Sequence, residues 1–148
     1  MAIASRESAI EVIMDIVANA YDWKLGPIRR LKLWSDVPAA NRPACFLFEG
    51  GQESYSWNEK GFPKRVIEVR IFVYLNAKDP GVSGATLINE MMDIFDAAFA
   101  PTGSDIALGR NSLRGSAYQC RIDGKPLKDP GDLDGDALLI VPIKLILP

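Results

Sequence analysis

Hydrophobic and polar positions change period several times along the chain, and the changes mark out its elements. Over residues 5–21, Ile10, Ile13, Met14, Val17 and Tyr21 recur on one face at helical spacing. Ser5 can cap that helix, and Glu7 sits favourably near its N-terminus. Gly26-Pro27 stops any continuation. From Arg29 to Trp34 the period drops to two, with Leu31 and Leu33 on one side and Arg30, Lys32 and Trp34 on the other, which predicts a short strand. Cys45 to Glu49 predicts another, apolar on both sides.

The clearest alternation is RVIEVRIFVYL, residues 65–75. Ile67, Val69, Ile71, Val73 and Leu75 form an apolar row; Val66, Glu68, Arg70, Phe72 and Tyr74 form a mixed one. That pattern predicts an antiparallel strand with one core face and one partly wet face. A second amphipathic helix follows over 85–99, with a stripe of Leu87, Ile88, Met91, Phe95, Ala98 and Phe99, a start at Ser83 or Thr86 and an end marked by Pro101. SAYQCRI (116–122) predicts a short strand closed by Asp123-Gly124, and 137–147 a last one. Within it Pro142 lacks an N–H, so the strand is an edge, a bulge or locally unpaired there.

The order helix, strands, helix, strands predicts an α+β fold, a mainly antiparallel sheet of four to five strands with two amphipathic helices packed on it. Its 148 residues fit a single domain, 1–148. Three polar connections, 49–64, 101–115 and 123–136, exceed the ordinary loop length of about 4–6 residues. They are expected to be partner-facing surfaces, ordered on contact.

Composition narrows the chemistry. Histidine is absent, which removes Ser-His-Asp and Cys-His mechanisms and the commonest metal ligand. A net charge of −2 supplies no broad basic field for nucleic-acid backbone or anionic membrane. No apolar run reaches the roughly 18 residues of a membrane span, and MAIASRESAI does not read as a signal peptide. Cys45 and Cys120 both lie in strand-like runs, which favours buried thiols over a bridge while leaving the bridge open.

DLDGD places Asp132, Asp134 and Asp136 at alternate positions, as calcium loops do. Gly135, however, precedes the third aspartate, and no glutamate follows, so a solvated turn feeding a strand is the better reading. Glu90, Asp93 and Asp96 fall on the polar side of a helix. No phosphate-binding glycine loop and no nucleophile elbow occurs. These observations predict no catalytic residue, no cofactor and no metal site. What remains is interface material: the basic cluster of Arg29 and Arg30 with Trp34 nearby, and two aromatic residues, Tyr55 and Trp57, in a polar stretch.

Three segments, RRLKLWSDVPAANRPACFLFEGGQESY, VRIFVYLNAKDPG and YQCRIDGK…DPGDLDGDALLIVPIKLIL, resemble tail terminator (tail completion) proteins of long-tailed bacteriophages, the lambda minor tail protein U group. The resemblance spans roughly residues 28–148. It implies an α+β subunit of a ring, usually a hexamer. Such a ring caps the head-proximal end of the tail tube, ends tube polymerisation and offers a joining surface to a head-completion or neck protein. The partners implied are therefore further copies of the chain, the tail tube protein and the neck, with DNA passing through the lumen without specific binding. The implied place is the virion tail, assembled in the host cytoplasm, and no enzymatic site is implied. Another head–tail connector is the alternative. A small metal-dependent hydrolase using the Asp132–Asp136 loop is the alternative of a different class.

Overall fold

The computed structural model describes residues 5–57, 61 and 63–148. The start of the N-terminal segment and part of the 49–64 connection lie outside the described residues.

Helix α1 (Arg6–Ala20) begins where Ser5 Oγ accepts the Ser8 N–H, at 3.3 Å. It buries Ala9, Ile10, Ile13 and Val17. Tyr21, predicted to end the helical stripe, instead leaves the helix in an extended conformation and tilts against Trp23. Helix α2 (Gly84–Ala98) starts at Ser83, whose hydroxyl accepts the Thr86 N–H, and buries Ile88, Met91 and Phe95. None of the described helices is long and apolar enough to cross a membrane.

The strands are β1 (Leu25–Ile28), β2 (Ala44–Phe48), β3 (Glu53–Trp57), β4 (Pro63–Asn76), β5 (Gln119–Ile122), β6 (Leu127–Asp129) and β7 (Asp136–Leu147), with a one-turn helix α3 at Asp105–Leu108. They form one seven-stranded mixed sheet in the order β1-β2-β4-β7-β5. β2 and β3 share one flank of β4; β5 and β6 share the outer flank of β7. The α+β expectation of helices packed on a sheet holds, with more strands than the four to five foreseen.

The axis of the sheet is the β4–β7 ladder, paired without interruption from Arg65↔Leu147 to Asn76↔Asp136. Odd-numbered side chains of both strands, such as Val69, Ile71, Val73, Leu139, Val141, Ile143 and Leu145, bury completely against α1 and α2. β7 is therefore central. Pro142 survives there because its carbonyl, which accepts the Asp123 N–H, points into the gap between β5 and β6, and its nitrogen points the same way, where no ladder donor is needed.

The strand expected at Arg29–Trp34 is absent. Pairing occurs one step earlier, where β1 runs parallel to β2. Gly26 makes this possible: its φ is +95°, and a Cβ there would lie 2.2 Å from the Cys45 carbonyl oxygen. Beyond β1 the chain turns away, with Leu33 70% exposed and Trp34–Asp36 in a 3₁₀ turn.

The long connections are also more ordered than expected. The first contains β3 and the last contains β6. Over 101–115 the buried Asp105 carboxylate accepts the Ser112 N–H at 2.8 Å and its hydroxyl at 3.0 Å, while buried Asn111 donates to the Phe99 carbonyl and accepts the Leu113 N–H. Hydrogen bonds within the chain hold this segment.

Candidate functional site

The five residues singled out from sequence fall on two different surfaces. Arg29 is held by two carboxylates: it donates to both Glu7 oxygens at 2.8 Å and to Glu49 at 2.7 and 2.8 Å. The Glu7 carboxyl is lowered below its ordinary pKa by those bonds. Arg30, next in the chain, is exposed. Tyr55 and Trp57 lie at alternate positions of β3, so they share one side of it; their rings stack with centroids 6.4 Å apart. Arg6 forks onto Glu53 at 2.9 Å through two nitrogens and reaches the Tyr55 hydroxyl at 3.0 Å.

The neighbours Arg6 and Glu7, in the first turn of α1, therefore tie Tyr55 and Arg29 to one margin of the sheet. All five residues of β3 are exposed. Among the described residues β3 pairs only with β4, so its outer N–H and C=O groups are unpaired. No proline or lysine blunts that edge.

Trp34 lies elsewhere, over the opposite face of the sheet. Its ring packs edge-on against Tyr74, at 4.7 Å, and Arg42 sits 4.2 Å from its centroid. Arg42, only 5% exposed, bonds Asp136 at 2.6 Å and the Val37 carbonyl through two nitrogens, at 3.1 and 2.8 Å. Lys78 adds a second ion pair to Asp136, at 3.1 Å. The Arg42 guanidinium, aided by Trp34 and Lys78 and opposed by burial, lowers the Asp136 pKa to about 2.

Asp136 is thus a structural anchor and departs from the solvated-turn reading. Asp132 and Asp134 keep the turn role, with Gly131 and Gly135 at φ 67° and 77°. Among the described residues no three His, Cys, Asp or Glu side chains gather as a metal site. Cys45 and Cys120 are free and buried. Burial raises both thiols, Cys120 to about 12.

Sequence reasoning missed two features. One is the Arg42–Asp136 pair, 94 residues apart in the chain. The other is the face of the sheet away from the helices. Near its β2 corner a small second core of Val37, Ala44, Phe46 and Tyr74 is covered by the Trp34 segment. Phe72 and Leu138 pack against it, part-buried, and beyond them Val66, Ile140, Pro142 and Ile146 are part-buried too. Beside the small core a pocket of about 280 Å³ has Trp34, Phe72, Tyr74 and Leu138 as its floor and Asp129, Asp134 and Asp136 at its rim. A larger groove, about 790 Å³, runs between the C-terminal ends of α1 and α2 and the 101–115 segment. No protein-family model and no curated protein matches the chain.

Proposed function

We propose that the chain is a structural assembly protein whose copies join side by side into a ring, a hexamer being what the tail-terminator resemblance implies, and that the ring caps the head-proximal end of a phage tail tube. The observation that carries this reading is the β3 margin: a fully exposed strand with an unpaired edge and a stacked Tyr55–Trp57 pair, braced by Arg6. Exposed strand edges add strands from another chain, and exposed aromatic pairs anchor interfaces. A ring needs one surface to meet a different surface on the next copy, and the two margins of this sheet, β1/β3 and β5/β6, are different. The tube end and the neck protein are the further partners of that ring, which leaves a lumen for DNA.

Native mass measurement and negative-stain imaging of the purified protein, alone and with tail tubes, test the ring. Tyr55→Ser with Trp57→Ser is expected to abolish it without unfolding the subunit. Tails assembled without the protein are expected to have uncontrolled length. Monomers alone in every sample, or tails of normal length in its absence, contradict the proposal.

A further inference from the structure

We propose that the open face of the sheet docks a second copy of this chain, face to face, with the two β4–β7 ladders running in opposite directions and Arg121 of each copy over Asp129 of the other. The inference does not rest on the ring reading, which uses the sheet margin.

The first observation is apolar surface in the wrong place. β7 alternates between fully buried side chains toward the helices and part-buried ones on the other face, yet between Asp136 and Lys144 the second set is also apolar, Leu138, Ile140 and Pro142, with Ile146 beyond. A strand apolar on both faces is the signature of a sheet covered on both faces. Part-buried Phe72 of β4 and half-exposed Leu127 of β6 extend the patch on either side. Contiguous apolar surface of this kind marks an interaction site.

The second observation is charge, and it selects the occupant. Toward the Pro63 end of β4 the face carries Arg70, Arg121 and Lys144 against Glu68 and Asp123. Asp123 is shared by Arg121 at 2.8 Å and Lys144 at 3.6 Å, and Arg70 has no ion-pair partner among the described residues. Toward the Asn76 end lie Asp129, Asp134 and Asp136. Arg42 and Lys78 both go to Asp136, so the Asp129 and Asp134 carboxylates meet no cation among the described residues. The face is basic at one end and acidic at the other, complementary to itself when reversed.

The register makes the match specific. Arg121 pairs with Lys144 across β5–β7, and Asp129 pairs with Leu138 across β6–β7. Residues 144 and 138 lie equally far from position 141, about 10 Å either way at strand rise. A two-fold axis lying between the sheets, perpendicular to the strands and passing near Val141, reverses the strands but keeps each flank on its own side. It places Pro142 on Ile140, and Arg121 over Asp129 twice. Packed sheets stand about 10 Å apart, a gap that an arginine and an aspartate bridge together. A two-fold axis along the strands instead gathers both copies' Asp129 and Asp134 at one end of the pair, a like-charge cost.

The test uses the full chain in analytical ultracentrifugation over a concentration series, with circular dichroism to verify folding. The wild type is expected to be a dimer, or a larger even-numbered assembly. Arg121→Asp and Asp129→Arg are each expected to weaken the pairing at least about tenfold by setting like charges opposite each other. Mixing the two variants one to one is expected to restore it, because positions 121 and 129 are then both acidic on one copy and both basic on the other, so each pair across the interface is again of opposite sign. Ile140→Asp is expected to abolish it, whereas Tyr55→Ser leaves it intact. A monomeric wild type, variants that associate as the wild type does, or a mixture no tighter than either variant alone overturns the proposal.

Discussion

Replacing Asp136 by Asn removes one charge from the pair that pins residues 29–43 to the end of the β4–β7 ladder. Arg42 is 5% exposed, and its remaining bonds go to the Val37 and Trp34 carbonyls. Leaving a buried cation without its counter-ion costs about 3–5 kcal/mol; Lys78 stands on the other side of the carboxylate, and the Asp136 side chain is 20% exposed, which place the cost at about 3 kcal/mol. At about 2–4 °C per kcal/mol for a chain of this size, the expected fall in Tm is about 6–12 °C at pH 7.

The same pair fixes a pH signature. The Asp136 pKa lies below its ordinary value, at about 2 against 3.8. The native state therefore holds the proton less tightly than the unfolded one. The stabilisation is complete above pH 3.8 and is lost as pH falls through 3.8 toward 2. A difference of that size corresponds to about 2 kcal/mol, with about half of it gone by pH 3. Urea unfolding of wild type and Asp136→Asn between pH 7 and pH 3 is the assay. The stability gap between the two proteins should be largest at neutral pH and narrow by about 1 kcal/mol at pH 3. A gap that does not change with pH would show that the aspartate's charge is not what holds Arg42. The double variant Arg42→Met with Asp136→Asn should recover part of the loss, since no buried charge is then left alone.

Three further outcomes follow from single contacts. Gly84→Ala places a Cβ 1.7 Å from the Pro130 carbonyl oxygen at the start of α2, so it should destabilise by about 2 kcal/mol or more in chemical unfolding despite alanine's helix propensity. Cys45 and Cys120 should resist a thiol reagent at pH 8 in the native protein and react at once in denaturant, because burial raises both thiols far above that pH. Arg29→Ala should cost no more than about 1 kcal/mol at low salt, and less at 1 M salt, because its carboxylate partners lie in exposed surface.

The elements that sequence reads well are those with long periods. β4, β7, α1 and α2 each repeat their apolar spacing over 12 to 15 residues, and burial follows that spacing. The strands it misses have no such signal. β3 is Glu-Ser-Tyr-Ser-Trp with every residue exposed; it is a strand because β4 offers its flank from Pro63 to Ile67. β6 spans three residues, and β1 contains the Gly-Pro pair that reads as a break. The false strand at Arg29–Trp34 shows the converse. Its alternation is real, but Arg29 is drawn to Glu7 and Glu49, Trp34 packs against Tyr74 and Arg42, and no neighbouring strand takes the backbone between them. Two-residue periodicity specifies a strand only where a partner edge is available.

The candidate surfaces divide in the same way. Tyr55 and Trp57 stand out in sequence because aromatic residues in polar surroundings have no core to enter, and both are more than half exposed. Arg42 and Asp136 do not stand out, since nothing local distinguishes an arginine between Asn41 and Pro43 that will meet an aspartate 94 residues later. The glycines of DLDGD still locate the turn correctly: a Cβ at Gly131 would lie 2.6 Å from the Asp136 carbonyl carbon, so the turn brings Asp136 back into the sheet. The one long-range signal available in the sequence was in β7 itself. Leu138, Ile140, Pro142 and Ile146 are too apolar for a solvent face, and Leu139, Val141, Ile143 and Leu145 already fill the helix side. In the pairing proposed above, a second copy supplies over this face the layer that the Trp34 segment provides only near β2.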